Sequence, residues 1–178
     1  MRAFRILLVL LALWVPSAAA ATDSQRARAV RFAAAGLGAA TGVWVALATS
    51  EGGAVIEPGT PRGTRIAFMT SHIAVQTASS TWATWWFADV CLRHPRGPWR
   101  SIGWGVLYGM AAGAMSFGTG FTTFIVAGWA TGALRTGDFD RWWEVVGSGL
   151  LVGNAGGAIT CIPVGALLAP IISLTMRF

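Results

Sequence analysis

Residues 102–134, IGWGVLYGMAAGAMSFGTGFTTFIVAGWATGAL, decide the fold of this chain. The stretch contains no charged side chain, and Gly105, Gly109 and Gly113 follow one another at intervals of four residues. One straight membrane helix uses about 20 apolar residues, so this stretch is long enough to cross a bilayer. It predicts a membrane helix with one face made of small residues.

Three further apolar stretches surround this one, at 32–49, 66–92 and 145–175, and polar segments separate them. Membrane-crossing strands would instead show alternating segments of about 10 residues. We therefore expect an all-α membrane protein. Its single domain, residues 22–178, is a bundle of about four transmembrane helices.

Composition supports this class. The chain is 54% hydrophobic and 11% charged, with a mean hydropathy of +0.60. A soluble domain carries about 25% charged residues, so a soluble globular protein and a disordered tail are excluded. All 13 basic residues are arginines, and they lie in short clusters between apolar stretches rather than on one continuous face. The expected partners are therefore the lipid bilayer and other membrane subunits or further copies of this chain, and not a nucleic acid.

The amino terminus has the order of a secretory signal peptide. Arg2 and Arg5 precede an apolar run at 6–15, and Pro16 and a small-residue segment at 18–21 follow. We predict a signal peptide at 1–21, with an uncleaved anchor as the alternative. Either would insert the chain through the secretory or export route, into a plasma or inner membrane.

Orientation is left open by the charges. With a cleaved signal and four spans, seven arginines would lie outside and four inside, the reverse of the usual bias. The seven are Arg26, Arg28, Arg31, Arg93, Arg96, Arg100 and Arg177, and the four are Arg62, Arg65, Arg135 and Arg141.

The third and fourth stretches are longer than one span requires, which predicts an interruption in each. Gly118 and Gly120 are the candidates in the third, and Pro163 and Pro170 in the fourth. A kink is the simpler expectation, because membrane helices tolerate both residue types. A broken helix lining an ion site is the alternative.

Small residues recur at helical spacing in three of the stretches. Residues four apart share a helix face, and glycines there allow two backbones to approach closely. We assign helix packing through GxxxG seams to Gly38, Gly42, Gly105, Gly109, Gly113, Gly149, Gly153 and Gly157.

A possible intramembrane polar site is formed by His72, Gln76 and Ser79, which share one helix face, together with Asn154. A polar group at this depth either serves a pathway or makes interhelical hydrogen bonds. Asp89 and Arg93 are spaced for an i,i+4 ion pair.

Signatures of catalysis are missing from the sequence: it has no GxSxG, no HExxH and no phosphate-binding loop. We expect no enzyme activity, no metal and no cofactor. Tryptophans near the predicted span ends fit headgroup anchoring. Cys91 and Cys161 are expected to be buried thiols, and whether they pair is left open.

One short motif resembles a known family. The segment 120–124, GFTTF, is similar to the third-helix motif of small four-helix fluoride channels, and Gly63-Thr64 is similar to the start of their second helix. The resemblance implies a broken third helix and a channel. The sequence departs from the family pattern at Phe68, Ala127 and Ala130, so the resemblance illustrates the channel hypothesis without establishing membership.

The sequence thus favours a non-catalytic subunit or assembly partner of a larger membrane complex. The alternative is an oligomeric ion channel or a small-solute transporter.

Overall fold

The computed structural model describes residues 22–51, 59–94, 97–133 and 141–176. These residues form four helices: α1 (Asp23–Glu51), α2 (Arg62–Arg93), α3 (Pro98–Thr131) and α4 (Trp142–Thr175). The all-helical class expected from the sequence is confirmed. The predicted signal peptide at 1–21 lies outside the described residues.

Three of these helices are long and apolar enough to cross a membrane. They are α1, α3 and α4, whose most apolar windows have mean hydropathies of 1.5, 1.3 and 2.0. The helix α2 is not among them, although a span was predicted at 66–92. Its polar residues include His72, Gln76 and Asp89, all buried.

The helices pack antiparallel and in chain order. Helix α2 lies between α1 and α3, and α4 packs mainly on α3. The register follows from side chains near the helix centres: Gly42 of α1 lies against Thr77 of α2, and Ser80 of α2 bonds to Ser116 of α3. The amino terminus of α1 is therefore at the same end of the bundle as the carboxyl terminus of α2.

Helices α3 and α4 are both uninterrupted, so the break that the length of each of these two apolar stretches suggested is not present. Helix α3 runs through Gly118 and Gly120, and α4 contains Pro163 and Pro170 within its helix. Pro98 opens α3 at its first turn, where a missing N–H costs nothing. Gly132 ends it with a left-handed φ of 65°, which favours glycine.

Helices α3 and α4 approach each other closely through glycines. A Cβ added to Gly109 would lie 2.7 Å from the Cys161 carbonyl oxygen, and one added to Gly153 would lie 2.9 Å from the Phe117 carbonyl oxygen. Gly113 and Gly157 face each other so closely that the Cβ of either would collide with the other's carbonyl. Only a hydrogen atom fits at these positions.

Candidate functional site

A cluster of polar side chains lies buried between the centres of α2 and α3. The Gln76 side-chain amide donates to Ser80 Oγ at 3.2 Å, and the hydroxyls of Ser80 and Ser116 are 2.6 Å apart. The Ser79 hydroxyl lies 3.1 Å from the carbonyl oxygens of both Gln76 and Ser116. We call Gln76, Ser79, Ser80 and Ser116 the polar cluster. Its hydrogen bonds join α2 to α3.

Glycine in α3 makes room for the largest member of this cluster. Gln76 is 1% exposed, and its Oε1 atom lies where a Cβ on Gly120 would stand. Helical spacing explains why α2 can build the cluster: residues three and four apart share a face, so Gln76, Ser79 and Ser80 all reach α3.

The opposite flank of α3 repeats this arrangement. The side-chain Oδ1 of Asn154, on α4, lies where a Cβ on Gly118 would stand. Positions 118 and 120 are about 200° apart around a helix, so the two amides lie on different sides of α3. The structure therefore does not bring Asn154 into the polar cluster, and each of these glycines accommodates one amide side chain.

His72 is also apart from the cluster, one helical turn before Gln76 on α2. The ring is 3% exposed, its Nε2 lies 2.9 Å from the Thr49 hydroxyl of α1, and its centroid is 4.5 Å from the Phe124 ring. The Thr49 hydroxyl is within 3.0 Å of the Val45 and Ala46 carbonyl oxygens, which can only accept. The hydrogen bond between His72 and Thr49 joins α2 to α1.

The second ring nitrogen of His72 is Nδ1. It is buried and has no hydrogen-bond partner among the described residues, and the same holds for the hydroxyls of Thr77 and Thr122. A buried polar atom without a partner costs free energy, so these three atoms are unfavourable positions in the described part of the bundle. Within the described ranges, no three His, Cys, Asp or Glu side chains are grouped to hold a metal ion.

An ion-paired carboxylate lies near one end of α2. Asp89, 7% exposed, is 2.6 Å from Arg93 in the predicted i,i+4 pair and 2.9 Å from Arg31 of α1. The predicted pair is confirmed. The second arginine was missed, because it lies 58 residues away in the sequence.

The eight glycines singled out in the sequence all lie at helix contacts. Gly38 and Gly42 face α2, and the other six lie between α3 and α4. Cys91 lies on α2 and Cys161 on α4, and the two do not form a disulfide.

Sequence reasoning missed several members of these sites. Ser80 could have been found, because it follows Gln76 by four residues on the same face. Thr49 and Ser116 carried no signal, since a hydroxyl on a helix usually bonds its own backbone.

No known protein family, curated protein or solved structure matches this chain. The broken third helix implied by the resemblance to fluoride channels is not observed, because α3 is continuous across 120–124.

Proposed function

We propose that this chain is a four-span integral membrane protein and acts as a non-catalytic subunit or assembly partner of a larger membrane complex. The observation that carries the proposal is the outer face of α2, the helix whose composition suits lipid least.

Membrane embedding is supported by the outer surfaces of α1 and α4. Large apolar side chains face outward on both helices, among them Trp44, Leu151, Ile159 and Leu167. Leu151 is 73% exposed. Such a surface is unfavourable in water and suits a bilayer interior.

The outer face of α2 is different. It exposes Ser71, Ala74, Ala78, Trp82 and Trp85, which recur at helical spacing on the side turned away from α1 and α3. Small residues let a further helix approach closely, and tryptophan is enriched among the residues that dominate interface energies. We call these five residues the α2 face.

Depth strengthens this interpretation. Trp82 follows Ser80 by two residues, and Ser80 bonds to Ser116 near the centre of α3. Trp82 is 54% exposed near that level of the bundle. A protein neighbour would cover it.

The buried interior supports an assembly role more than a pathway. Members of the polar cluster bond to one another, and Gln76 and Asn154 fill the space beside their glycines. Such bonds fix the register of the helices. The close approaches of α3 and α4 support a packing role for the glycine seams.

The test is affinity purification of the full chain from native membranes in mild detergent, followed by mass spectrometry of co-purifying proteins. A different protein in stoichiometric amount is expected. Ala74→Ile with Ala78→Ile should remove it, because the added branches block close approach at the α2 face.

The matched control is Ala40→Ile with Ala155→Ile, which adds the same atoms to exposed positions on α1 and α4. Equal loss from both pairs would refute the α2 face as the contact. Purification as a homo-oligomer alone would refute the subunit role and favour the alternative function.

That alternative is an oligomeric channel or transporter, favoured by the partnerless atoms His72 Nδ1 and Thr122 Oγ1. Solute flux into liposomes holding the purified chain tests it. Flux abolished by His72→Leu and retained by Ala74→Ile would support a pathway; absence of flux would contradict it.

A further inference from the structure

We propose that the end of the bundle where α1 begins is an anionic-phospholipid-binding surface in the cytoplasmic leaflet. This inference rests on membrane embedding and does not depend on the proposed subunit role. We call this end the basic end and the other the opposite end.

Antiparallel packing collects the charges of the basic end from three helices. It holds five arginines against two aspartates in the described residues: Arg26, Arg28, Arg31, Arg93 and Arg100 with Asp23 and Asp89. The opposite end holds three arginines against two glutamates: Arg62, Arg65 and Arg141 with Glu51 and Glu144. The excess of positive charge is therefore at the basic end.

The side chains of the basic end are placed to meet lipid headgroups. Arg28 and Arg100 are exposed, and Arg93 remains 68% exposed while it pairs with Asp89. Trp99, 86% exposed, lies beside Arg100 in the first turn of α3. An exposed tryptophan next to arginines matches the polar boundary of a bilayer, where the ring and the charges can both be accommodated.

The segments that connect the helices add to the same excess of positive charge at the basic end. The connection from α2 to α3 contributes Arg96, whereas the connection from α3 to α4 contributes Arg135 together with Asp138 and Asp140. Short basic connections stay on the cytoplasmic side of a membrane, and the cytoplasmic leaflet supplies the anionic lipids. Helix α1 therefore starts in the cytoplasm, the orientation opposite to the one that a cleaved export signal would impose.

Orientation is tested by labelling intact cells with a membrane-impermeant maleimide. Cys91 and Cys161 are first replaced by alanine, and Ser24→Cys or Gly63→Cys then marks the basic or the opposite end. Both positions are exposed. Gly63→Cys should be labelled in intact cells and Ser24→Cys only after permeabilisation; the reverse pattern would overturn the proposal.

Lipid binding is tested in nanodiscs containing phosphatidylcholine and phosphatidylglycerol. Mass spectrometry measures the lipid that the chain retains after mild delipidation. Phosphatidylglycerol should be enriched, and Arg28→Gln with Arg100→Gln should weaken its retention by about fivefold for each arginine.

The matched control is Arg62→Gln with Arg65→Gln, which removes the same charge at exposed positions of the opposite end. Equal loss from both pairs, or no enrichment, would overturn the lipid surface. Displacement of the lipid by inorganic phosphate would show a site for free anions and would overturn it as well.

Discussion

Adjacent glycines of α4 provide the sharpest test of the packing. Gly157 faces α3, where an added Cβ would lie 2.7 Å from both the carbonyl carbon of Gly113 and the Cβ of Phe117. Gly156 has nothing within 4 Å of the same added atom. Gly157→Ala and Gly156→Ala therefore introduce the same methyl group one residue apart, with contact in only one of the two.

The expected loss of stability in Gly157→Ala follows from the distance by which α3 and α4 must move apart. Ordinary contact of a Cβ begins at 3.4 Å, so relieving these two contacts requires the helices to part by roughly 0.7 Å, and the Gly113 carbonyl oxygen, which lies closer still, requires more. A gap of 0.5–1 Å loses about a quarter to a half of the van der Waals attraction between the separated atoms. Overpacking of this kind costs about 1–3 kcal/mol.

Gly156→Ala should act in the opposite direction. Alanine is a better helix former than glycine by up to about 1 kcal/mol, and the methyl group meets no neighbour. Gly157→Ala gains the same helix propensity, so the two variants should differ by the overpacking cost alone, about 1–3 kcal/mol in the free energy of unfolding, with Gly157→Ala less stable.

The assay is a titration with sodium dodecyl sulfate in mixed lipid–detergent micelles, followed by tryptophan fluorescence. Wild type and both variants are unfolded under the same conditions. Equal free energies of unfolding for the two variants would refute close α3–α4 contact at Gly157, and greater loss in Gly156→Ala would refute the assignment of the faces.

Three further effects are expected on the free energy of unfolding in the same assay. Asp89→Asn should destabilise the fold by about 1–3 kcal/mol, because it leaves partly buried donors short of a charged partner. Arg93→Gln changes the exposed partner and should cost less than about 1 kcal/mol. Equal losses from the two substitutions would contradict the burial of the Asp89 carboxylate. A double-mutant cycle of Ser80→Ala and Ser116→Ala should give a coupling of about 0.6 kcal/mol, the average for bonds between membrane helices, and zero coupling would refute the bond. Gly120→Ala should cost about 1–3 kcal/mol, because its methyl group displaces a buried amide, and a neutral effect would show that this space is free.

Much of the fold is encoded in local properties of the chain. A continuous apolar stretch predicts a helix wherever it occurs, because each backbone group in lipid must bond within its own segment. The four helices of the described residues lie over the four predicted stretches, and three of them, α1, α3 and α4, are apolar enough for that rule to apply. The continuity of α3 through Gly118 and Gly120, and of α4 through Pro163 and Pro170, could not be predicted the same way, since glycine and proline weaken a helix only when its neighbours do not support it.

The candidate sites were predictable only where their members lie on one helix. His72, Gln76 and Ser79 share a face of α2, and the Asp89–Arg93 pair spans one turn, so spacing alone placed the members of each set near one another. The partners on other helices were not predictable. Arg31 reaches Asp89, and Ser116 reaches Ser80, only through the packing register.

Taken by itself, the sequence determined the all-helical class and the four helices of the described residues, because hydropathy and helical spacing act over a few turns. The tertiary structure alone decided which glycine lies beside which side chain: Gly120 beside Gln76, and Gly118 beside Asn154. Gly118 and Gly120 look alike in the sequence, where they were the candidates for a break in the third helix. Their neighbours depend on the rotation and sliding of whole helices, and a shift of a single residue turns a helix by about 100° and replaces every contact.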